Sequence, residues 1–284
     1  MDSKLVNILE KIAVCPSFSS FENKIHPIIK EILSEDDNIF VECVLDNNLF
    51  GTIPGNLDLA PIVLTAHLDK INHFGEQTPE KLDFKIENGK IIGLLDDAVG
   101  VAIILYIALY HLPKNRPTIY LCLSEMEESN GLRLHRHLLR NAGVGLYTGM
   151  GAKRLSQHLL NKNIVPQIII TIDTTPLFRE QSGVALYYQP WVLNQTTVDE
   201  ITYSKSETIR NMILESFSDI KISNNTNDYL EYGKVFNPLL VPSIAIEPSI
   251  FPYHTFCEQV YCSDVEKTIE VTKNLVNRLS QVNI

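Results

Sequence analysis

Residues 61–69 read PIVLTAHLD, an apolar run that ends in a histidine and an aspartate. A continuous run of Val, Ile and Leu between turn residues is typical of a strand that is buried on both faces of a sheet. We therefore predict a strand over Pro61–Ala66, with His67 and Asp69 directly after its carboxyl end. Residues 167–175, QIIITIDTT, repeat the pattern and place Asp173 at the end of a second strand, Gln167–Ile172.

Further apolar runs and helical stretches extend this pattern along the chain. The other predicted strands are Ile91–Leu95, Thr118–Leu123, Gly183–Tyr188 and Ser243–Ile246. The predicted helices between and after them are Ala98–His111, Leu132–Leu139, Ala152–Leu160, Ser206–Phe217 and Val265–Leu279. Strands that alternate with helices indicate an α/β fold with a mostly parallel, mixed central sheet that is flanked by helices on both faces. No repeat or linker divides the chain, so we expect a single catalytic domain over residues 1–284.

The composition excludes several classes of partner. Hydrophobic residues make up 45% of the chain, which is typical of a globular protein. The 34 acidic and 24 basic residues give a net charge of −10, which argues against binding to nucleic acid or to an anionic membrane. The N-terminus lacks the apolar core of a signal peptide, and no apolar run has the length of a membrane span. The five cysteines are scattered without a CxxC pair, so we expect a cytoplasmic protein.

Histidine and acidic residues follow the ends of several predicted strands. Besides the residues named above, they are Asp96 and Asp97 after Ile91–Leu95, Glu127 and Glu128 after Thr118–Leu123, and His254 after Ser243–Ile246. Taken singly, each has a purely structural explanation; the Asp96–Asp97 pair, for example, could cap the next helix. Together they predict a metal site, because the carboxyl ends of strands in α/β sheets form the ligand crevice. Two imidazoles among carboxylates suit zinc, cobalt or manganese.

The order and wording of these stretches resemble the dinuclear zinc exopeptidases and amidohydrolases of the aminopeptidase/carboxypeptidase type. The matching features are an HxD after an apolar strand, a DD before an apolar helix, an EE pair, a strand ending in IDxT, and YHTxxE before the last helix. GMGAKRLSQHL followed by IIITIDTT is similar to the cocatalytic aminopeptidase branch. The resemblance spans nearly the whole chain, which has no room for the lid or dimerisation domain that many relatives insert.

The resemblance implies a role for each of these residues. His67 and Asp173 would hold one divalent metal ion, Glu128 and His254 would hold a second, and Asp96 would bridge the two ions. Zinc is the expected metal, with cobalt or manganese as alternatives. Asp69 would accept the free ring N–H of His67, and Glu127 would be the general base.

Two features depart from the family pattern. About twenty residues, 129–150, separate the EE pair from the GA helix, and we interpret them as an insertion that lies over the cleft and shapes substrate choice. The alternative is a surface helix and turn. The register of two ligands is also open, because Asp97 is the second choice to Asp96 as the bridge and Glu125 is an alternative within SEMEE.

The leading functional prediction is a dinuclear metallopeptidase, an aminopeptidase that cleaves small peptides. An N-acyl amino acid amidohydrolase or carboxypeptidase-type enzyme would use the same metal cage and is the alternative within catalysis. A catalytically silent relative that serves as a binding protein is the alternative outside catalysis. We expect a small peptide or amide as the substrate and take a monomer as the default oligomeric state.

Overall fold

The computed structural model describes residues 1–282 and contains two β-sheets, the larger of which is covered by helices. The strands are β1 (Phe40–Val44), β2 (Asn48–Ile53), β3 (Ile62–His67), β4 (Phe84–Glu87), β5 (Lys90–Gly93), β6 (Ile119–Ser124), β7 (Ile168–Ile172), β8 (Val184–Tyr187), β9 (Lys221–Ile222), β10 (Ser243–Pro248) and β11 (Glu258–Tyr261). The α-helices are α1 (Ser3–Ala13), α2 (His26–Leu33), α3 (Ala98–Tyr110), α4 (Met150–Asn161), α5 (Pro190–Asn194), α6 (Glu200–Ser216), α7 (Asp228–Phe236) and α8 (Cys262–Leu279).

The larger sheet has a parallel centre and mixed edges. Its strand order is β1-β2-β6-β3-β7-β10-β8-β9, and β6, β3, β7 and β10 are parallel neighbours. The β1–β2 hairpin adds antiparallel to β6, and β8 adds antiparallel to β10. The carboxyl ends of the four central strands therefore lie at one edge of the sheet, where polar loop residues can meet.

Helices pack on both faces because the central strands are apolar on both sides. Ile62 and Leu64 of β3 lie in a cluster with α1, α2, α3, α6 and α8, while Val63 packs in a second cluster with α4 and α7. Successive residues of a strand point to opposite faces, so one apolar run supplies both cores. Helix α3 is buried around almost its whole circumference, which accounts for its unbroken apolar sequence AVGVAIILYIALY.

The predicted fold class is confirmed: this is a single α/β unit with a mixed central sheet between helical layers. Strands β3, β6, β7, β8 and β10 begin and end within two residues of the predicted bounds. Helix α6 starts earlier than predicted, at Glu200, because Asp199 accepts a hydrogen bond from the Ile201 N–H and caps it there.

Two predicted elements are wrong. The run Ile91–Leu95 does not join the central sheet: β5 ends at Gly93 and lies in a separate antiparallel sheet of order β11-β5-β4. An apolar run reports burial but not the sheet to which a strand belongs. The predicted helix Leu132–Leu139 is instead short 3₁₀ turns, because His135 in its middle has a φ of 49°, which an α-helix excludes, and Leu139 is extended.

Over residues 1–282, no helix is both long enough and apolar enough to cross a membrane.

Candidate metal centre

Five loops or strand ends bring the predicted ligands to one edge of the central sheet. His67 is the last residue of β3, and Asp173 directly follows β7. The other contributors are Asp96 before α3, Glu127 and Glu128 in the loop after β6, and His254 in the loop after β10. His67, Asp96, Glu128 and Asp173 are at most 5% exposed. The predicted ligands are therefore clustered in the interior of the protein.

The carboxylate of Asp96 lies between the two imidazoles. Its Oδ1 is 3.2 Å from Nε2 of His67, and its Oδ2 is 3.4 Å from Nε2 of His254. Each carboxylate oxygen therefore faces a different ring nitrogen. A carboxylate in this orientation can bridge two cations.

Each imidazole also faces a second carboxylate. Oδ1 of Asp173 is 3.7 Å from Nε2 of His67, and Oε2 of Glu128 is 3.2 Å from Nε2 of His254. Donor atoms of Asp96, Glu128 and His254 all lie within 4.8 Å of one another. The residues of the two ligand sets that the resemblance implies therefore lie together, with Asp96 beside both histidines, and their ligand roles stay a prediction.

Asp97 remains close to the cluster but has a structural task. Its Oδ1 accepts a hydrogen bond from the Gly100 N–H at 2.7 Å and caps helix α3. A Cβ on Gly100 would lie 2.3 Å from the Asp97 carboxylate, so this cap requires glycine. A carboxylate oxygen of Asp97 also lies within 4.8 Å of donor atoms of His67 and Asp173. Asp97 could therefore take part in the metal position that the resemblance assigns to His67 and Asp173.

Glu125, the other alternative, lies away from the cluster. Its carboxylate accepts hydrogen bonds from the Asn48 amide and from Arg154, and it also pairs with Arg140. These contacts fix the start of the SEMEE loop, which leaves the adjacent pair Glu127 and Glu128 to face the cluster.

The donor set suits one or more divalent cations. Oδ2 of Asp97, Oε1 of Glu128 and Nε2 of His254 are buried without a hydrogen-bond partner. Most buried polar atoms in proteins have a hydrogen-bond partner, so three unpaired donor or acceptor atoms that lie together on His and acidic side chains are suited to hold a cation. Oxygen and imidazole donors together are the ligands of zinc and related metals.

Burial and mutual repulsion perturb the acids of the cluster. Burial, opposed by His67, raises the pKa of Asp173 to about 6, and burial with the Asp96 charge raises the pKa of Glu128 well above its ordinary value. Burial also disfavours ionisation of Asp96, but hydrogen bonds with His254 and His67 outweigh it and lower the pKa of Asp96. Hydrogen bonds with Asp173, Asp69 and Asp96 likewise overcome burial and raise the pKa of His67 well above its ordinary value. A bound cation would relieve this repulsion.

Glu127 faces the cluster and a cleft. Its side chain is 15% exposed, and its Oε2 is 4.0 Å from Nε2 of His67. Burial, together with the charges of Glu128, Asp173 and Asp228, raises the pKa of Glu127 well above its ordinary value, although His67 opposes this. A carboxyl group in this position, with its pKa raised towards that of a water-derived proton carrier, is suited to general acid–base work.

Asp69 holds the loop that carries both glutamates. Its Oδ1 accepts the Glu127 N–H at 2.9 Å, and its Oδ2 accepts the Glu128 N–H at 3.2 Å and the Ser19 hydroxyl at 2.8 Å. Nδ1 of His67 lies 3.0 Å from the Asp69 backbone carbonyl and 3.3 Å from its Oδ1. Asp69 is therefore next to the His67 ring nitrogen, as the resemblance implies, and its carboxylate also has a second task.

Glu258 performs the corresponding task for two other ligands, and the sequence did not assign it one. Its Oε2 accepts the N–H groups of Leu95 and Asp96 at 2.7 and 3.1 Å, and its Oε1 accepts the His254 N–H at 2.9 Å. His254 has a φ of 55°, which a non-glycine residue adopts at a cost in strain. The only sequence signal was the E of YHTxxE, which is the first residue of β11.

Two more buried carboxylates near the cluster were also missed. Asp228, the first residue of α7, accepts the Ser124 hydroxyl, and its Oδ1 has no partner. Glu247 of β10 accepts from the Asn227 amide. Burial raises the pKa of Asp228 to about 7 and that of Glu247 well above its ordinary value. No local pattern marks either residue, because their neighbours come from distant parts of the chain.

The cleft above the cluster has a volume of about 300 Å³. Glu127, Glu128, Asp228 and Glu231 are its acidic lining residues, and no Lys or Arg of the described chain lines it. The remaining lining residues are Ser129, Thr148, Gly149, Asn225, Thr226, Asn227, Leu230, Tyr253 and His254. Both ends of the 129–150 segment therefore border the cleft. Arg179 is exposed and lines a separate cavity.

Comparisons with known proteins bear on the family and the fold of the chain. The sequence profile of peptidase family M28 matches residues 48–232. No curated protein sequence matches the chain.

Solved aminopeptidase structures share the fold at low sequence identity. A TET aminopeptidase from a marine-sediment Thaumarchaeota archaeon is 14% identical, with a TM-score of 0.69 and 97% of each chain covered. An aminopeptidase from the archaeon Desulfurococcus kamchatkensis is 14% identical, with a TM-score of 0.67 and coverage of 97% of this chain and 95% of that one. The Pyrococcus horikoshii TET1 peptidase, which can assemble into a tetrahedron or a large octahedral shell, is 14% identical, with a TM-score of 0.65 and coverage of 96% and 99%. At this identity the likeness establishes the fold alone.

Proposed function

The chain belongs to peptidase family M28, and on that premise we propose that it is a metal-dependent aminopeptidase that removes the N-terminal residue of small peptides. The observation that carries the proposal is the orientation of Asp96, whose two oxygens face the two imidazoles. Two ions would be held, one by His67 and Asp173 and the other by Glu128 and His254, with Asp96 shared. Zinc is the metal we expect.

Bound divalent ions at such a site lower the pKa of a water molecule and polarise the scissile carbonyl. The protein's own groups do the rest. Glu127 is the neighbouring carboxylate that is left free of the ligand sets, so it takes the proton from the attacking water and passes it to the leaving nitrogen. Asp69 holds the backbone of Glu127 and Glu128 in place, so base and ligand keep a fixed relative position.

The charge of the cleft favours an aminopeptidase over an N-acyl amidohydrolase. Four carboxylates line it without a Lys or Arg side chain from residues 1–282. Such a cleft attracts a protonated α-amine and repels the free carboxylate of an N-acyl amino acid. Glu128 and Asp228 each have an unpartnered oxygen, and because Glu128 is a proposed ligand, Asp228 is the acid that we propose receives the amine.

The test combines metal content, activity and one matched pair of variants. The wild-type protein, purified without a histidine tag, should contain about two metal ions per chain and hydrolyse aminoacyl amides faster than N-acyl amino acids. Glu127→Gln should retain the metal and lose at least about 10²-fold in kcat, because the proton carrier is gone. Glu180→Gln, at an exposed glutamate that lines a separate cavity, is the control and should keep its activity.

Each result has a defined reading. Full activity of the metal-free protein, or of Glu127→Gln, would refute the proposed mechanism. Faster turnover of N-acyl substrates would favour the amidohydrolase alternative, and a wild-type protein that binds no metal and cleaves no substrate would favour a silent binding relative. Assembly of this chain is a separate question, and light scattering would decide whether the monomer default or a larger particle is correct. The cytoplasmic location likewise stays a proposal, which fractionation of cells would test.

A further inference from the structure

Asn130, the second residue of the 129–150 segment, contacts one of the metal-site histidines. Nδ2 of its side-chain amide is 2.7 Å from Nδ1 of His254. The other nitrogen of that ring, Nε2, is the one that faces Asp96 and Glu128. Asn130 therefore holds the side of the ring that points away from the ligand carboxylates.

The chemistry of imidazole determines what this contact must do. A ring nitrogen that binds a cation offers its lone pair, so Nδ1 of a neutral His254 has to carry the proton. That N–H needs an acceptor, and a side-chain amide that turns by 180° places its oxygen where its nitrogen was. Asn130 can therefore accept from Nδ1–H when Nε2 binds a cation, and donate to Nδ1 when Nε2 carries the proton.

The backbone around Asn130 is fixed by the same carboxylate that fixes the two glutamates. A Cβ on the next residue, Gly131, would lie 2.1 Å from Oγ of Ser19, so the turn packs tightly against Ser19. The Ser19 hydroxyl donates to Asp69, which also accepts the Glu128 N–H. The position of Asn130 is thus tied to that of Glu128, one of the groups that Nε2 of His254 faces.

His254 needs such support because its own backbone is strained and its ring is partly open to solvent. Its φ is 55°, and its side chain is 18% exposed. Glu258 accepts its N–H, and Tyr253 stacks on its ring with 3.6 Å between the ring centroids. These contacts fix the backbone and the plane of the ring, whereas the contact with Asn130 pairs Nδ1 and fixes the direction in which Nε2 points.

We propose that Asn130 is a positioning residue for the metal site, which fixes the orientation of the His254 ring through its hydrogen bond at Nδ1 and pairs the Nδ1 proton when Nε2 binds a cation. The 129–150 segment would then support the metal site through Asn130, in addition to bordering the cleft. The inference rests on the proposed function, because it requires that the cluster bind metal.

The test compares two substitutions of Asn130 by their metal affinity. Zinc affinity is measured by competition with a chelator, and cobalt spectra of the loaded proteins report each site separately. Asn130→Leu keeps the size of the side chain and removes the hydrogen bond, so the His254 site should weaken about 10- to 100-fold while the His67 site stays unchanged. Asn130→Asp keeps an acceptor opposite Nδ1. It should therefore bind zinc about 10- to 100-fold more tightly than the leucine variant.

An independent readout is the hydrogen bond at Nδ1. In the zinc-loaded wild type, NMR spectra of the histidine side chains should show a His254 Nδ1–H that is protected from exchange with water, and Asn130→Leu should lose this protection. Arg133→Leu, a change at an exposed residue of the same segment, is the control and should leave both sites unchanged. Urea unfolding of the metal-free variants checks that all of them fold.

The outcomes separate this inference from the proposed function. Unchanged zinc affinity in Asn130→Leu, or equal losses in the leucine and aspartate variants, would overturn the positioning role while metal binding by the wild type stood. A wild-type protein that binds no metal would overturn both.

Discussion

Replacing Asp69 by asparagine should separate the two glutamates from their support without changing the volume of the side chain. Three donors converge on this carboxylate: the N–H groups of Glu127 and Glu128, and the Ser19 hydroxyl. Asparagine offers one oxygen and one NH₂ group. The hydroxyl can rotate and accept from the NH₂, but a backbone N–H cannot, so one glutamate N–H is left facing a donor.

The expected magnitude follows from these contacts. An unsatisfied buried donor costs about 1–3 kcal/mol, and each remaining bond to a neutral oxygen is weaker than its charged counterpart by about 1 kcal/mol. We therefore expect the free energy of unfolding of the metal-free protein to fall by about 2–4 kcal/mol. A displacement of Glu127 by about 1 Å should lower kcat by about 10²-fold.

The assay is urea unfolding at equilibrium, with kcat measured on an aminoacyl amide. Ser19→Ala is the control, because it removes one donor and leaves both glutamate N–H groups bound. It should lose only about 1 kcal/mol of stability. Surface changes without a structural role alter the free energy of unfolding by up to about 0.5 kcal/mol. If Asp69→Asn stays within that range and keeps its kcat, the carboxylate does not hold the loop and the reasoning is refuted.

Two further predictions concern buried acids that the sequence did not single out. Glu258→Gln should place an NH₂ group against a backbone N–H, most directly that of His254, and should weaken zinc binding by about 10- to 100-fold in chelator competition; unchanged affinity would contradict the role of Glu258. Burial and the Asp69 charge raise the pKa of Glu22 to about 8, so the folded state favours its protonated form. The stability that Glu22 contributes is therefore complete below about pH 4.5 and is lost as the pH rises towards 8. The free energy of unfolding should fall by up to about 1.4 kcal/mol per pH unit in this range, and Glu22→Gln should remove that fall. Urea unfolding at pH 5.5 and 8 measures it, and the same pH dependence in wild type and variant would contradict the prediction.

The sequence predicts the central sheet well because burial on both faces leaves a local trace. The run before His67 and the run before Asp173 are continuous Val, Ile and Leu, and both form parallel central strands. The same trace misassigned residues 91–95, since β5 is buried in the small sheet and not in the central one. Hydrophobicity reports that a segment is covered, whereas its strand partner depends on residues far away in sequence.

The candidate site shows the same limit at the level of single residues. The ligands fall at strand ends and in a recognisable order, so their grouping could be anticipated. Glu258, Asp228 and Asn130 could not be found in this way, because each acts on a residue that is distant in sequence or in a separate loop. Asn130 was further obscured by the 129–150 segment, where left-handed residues such as His135 replace the expected helix by turns.

Two buried carboxylates explain how one site can gather so much negative charge and still have a defined geometry. Asp69 accepts the N–H groups of Glu127 and Glu128, and Glu258 accepts those of Asp96 and His254. Backbone N–H groups satisfy these two acids, so they need no cation and are free to hold the ligand loops. Of the proposed ligand carboxylates, Asp173 accepts one backbone N–H, that of Thr174, and all three face His67 or His254. A bound cation would relieve the repulsion that these contacts leave. The fold thus divides its acids into those that position the backbone and those that face the metal, and this division is what a mutational series at Asp69 and Glu258, set against one at the ligands, would measure.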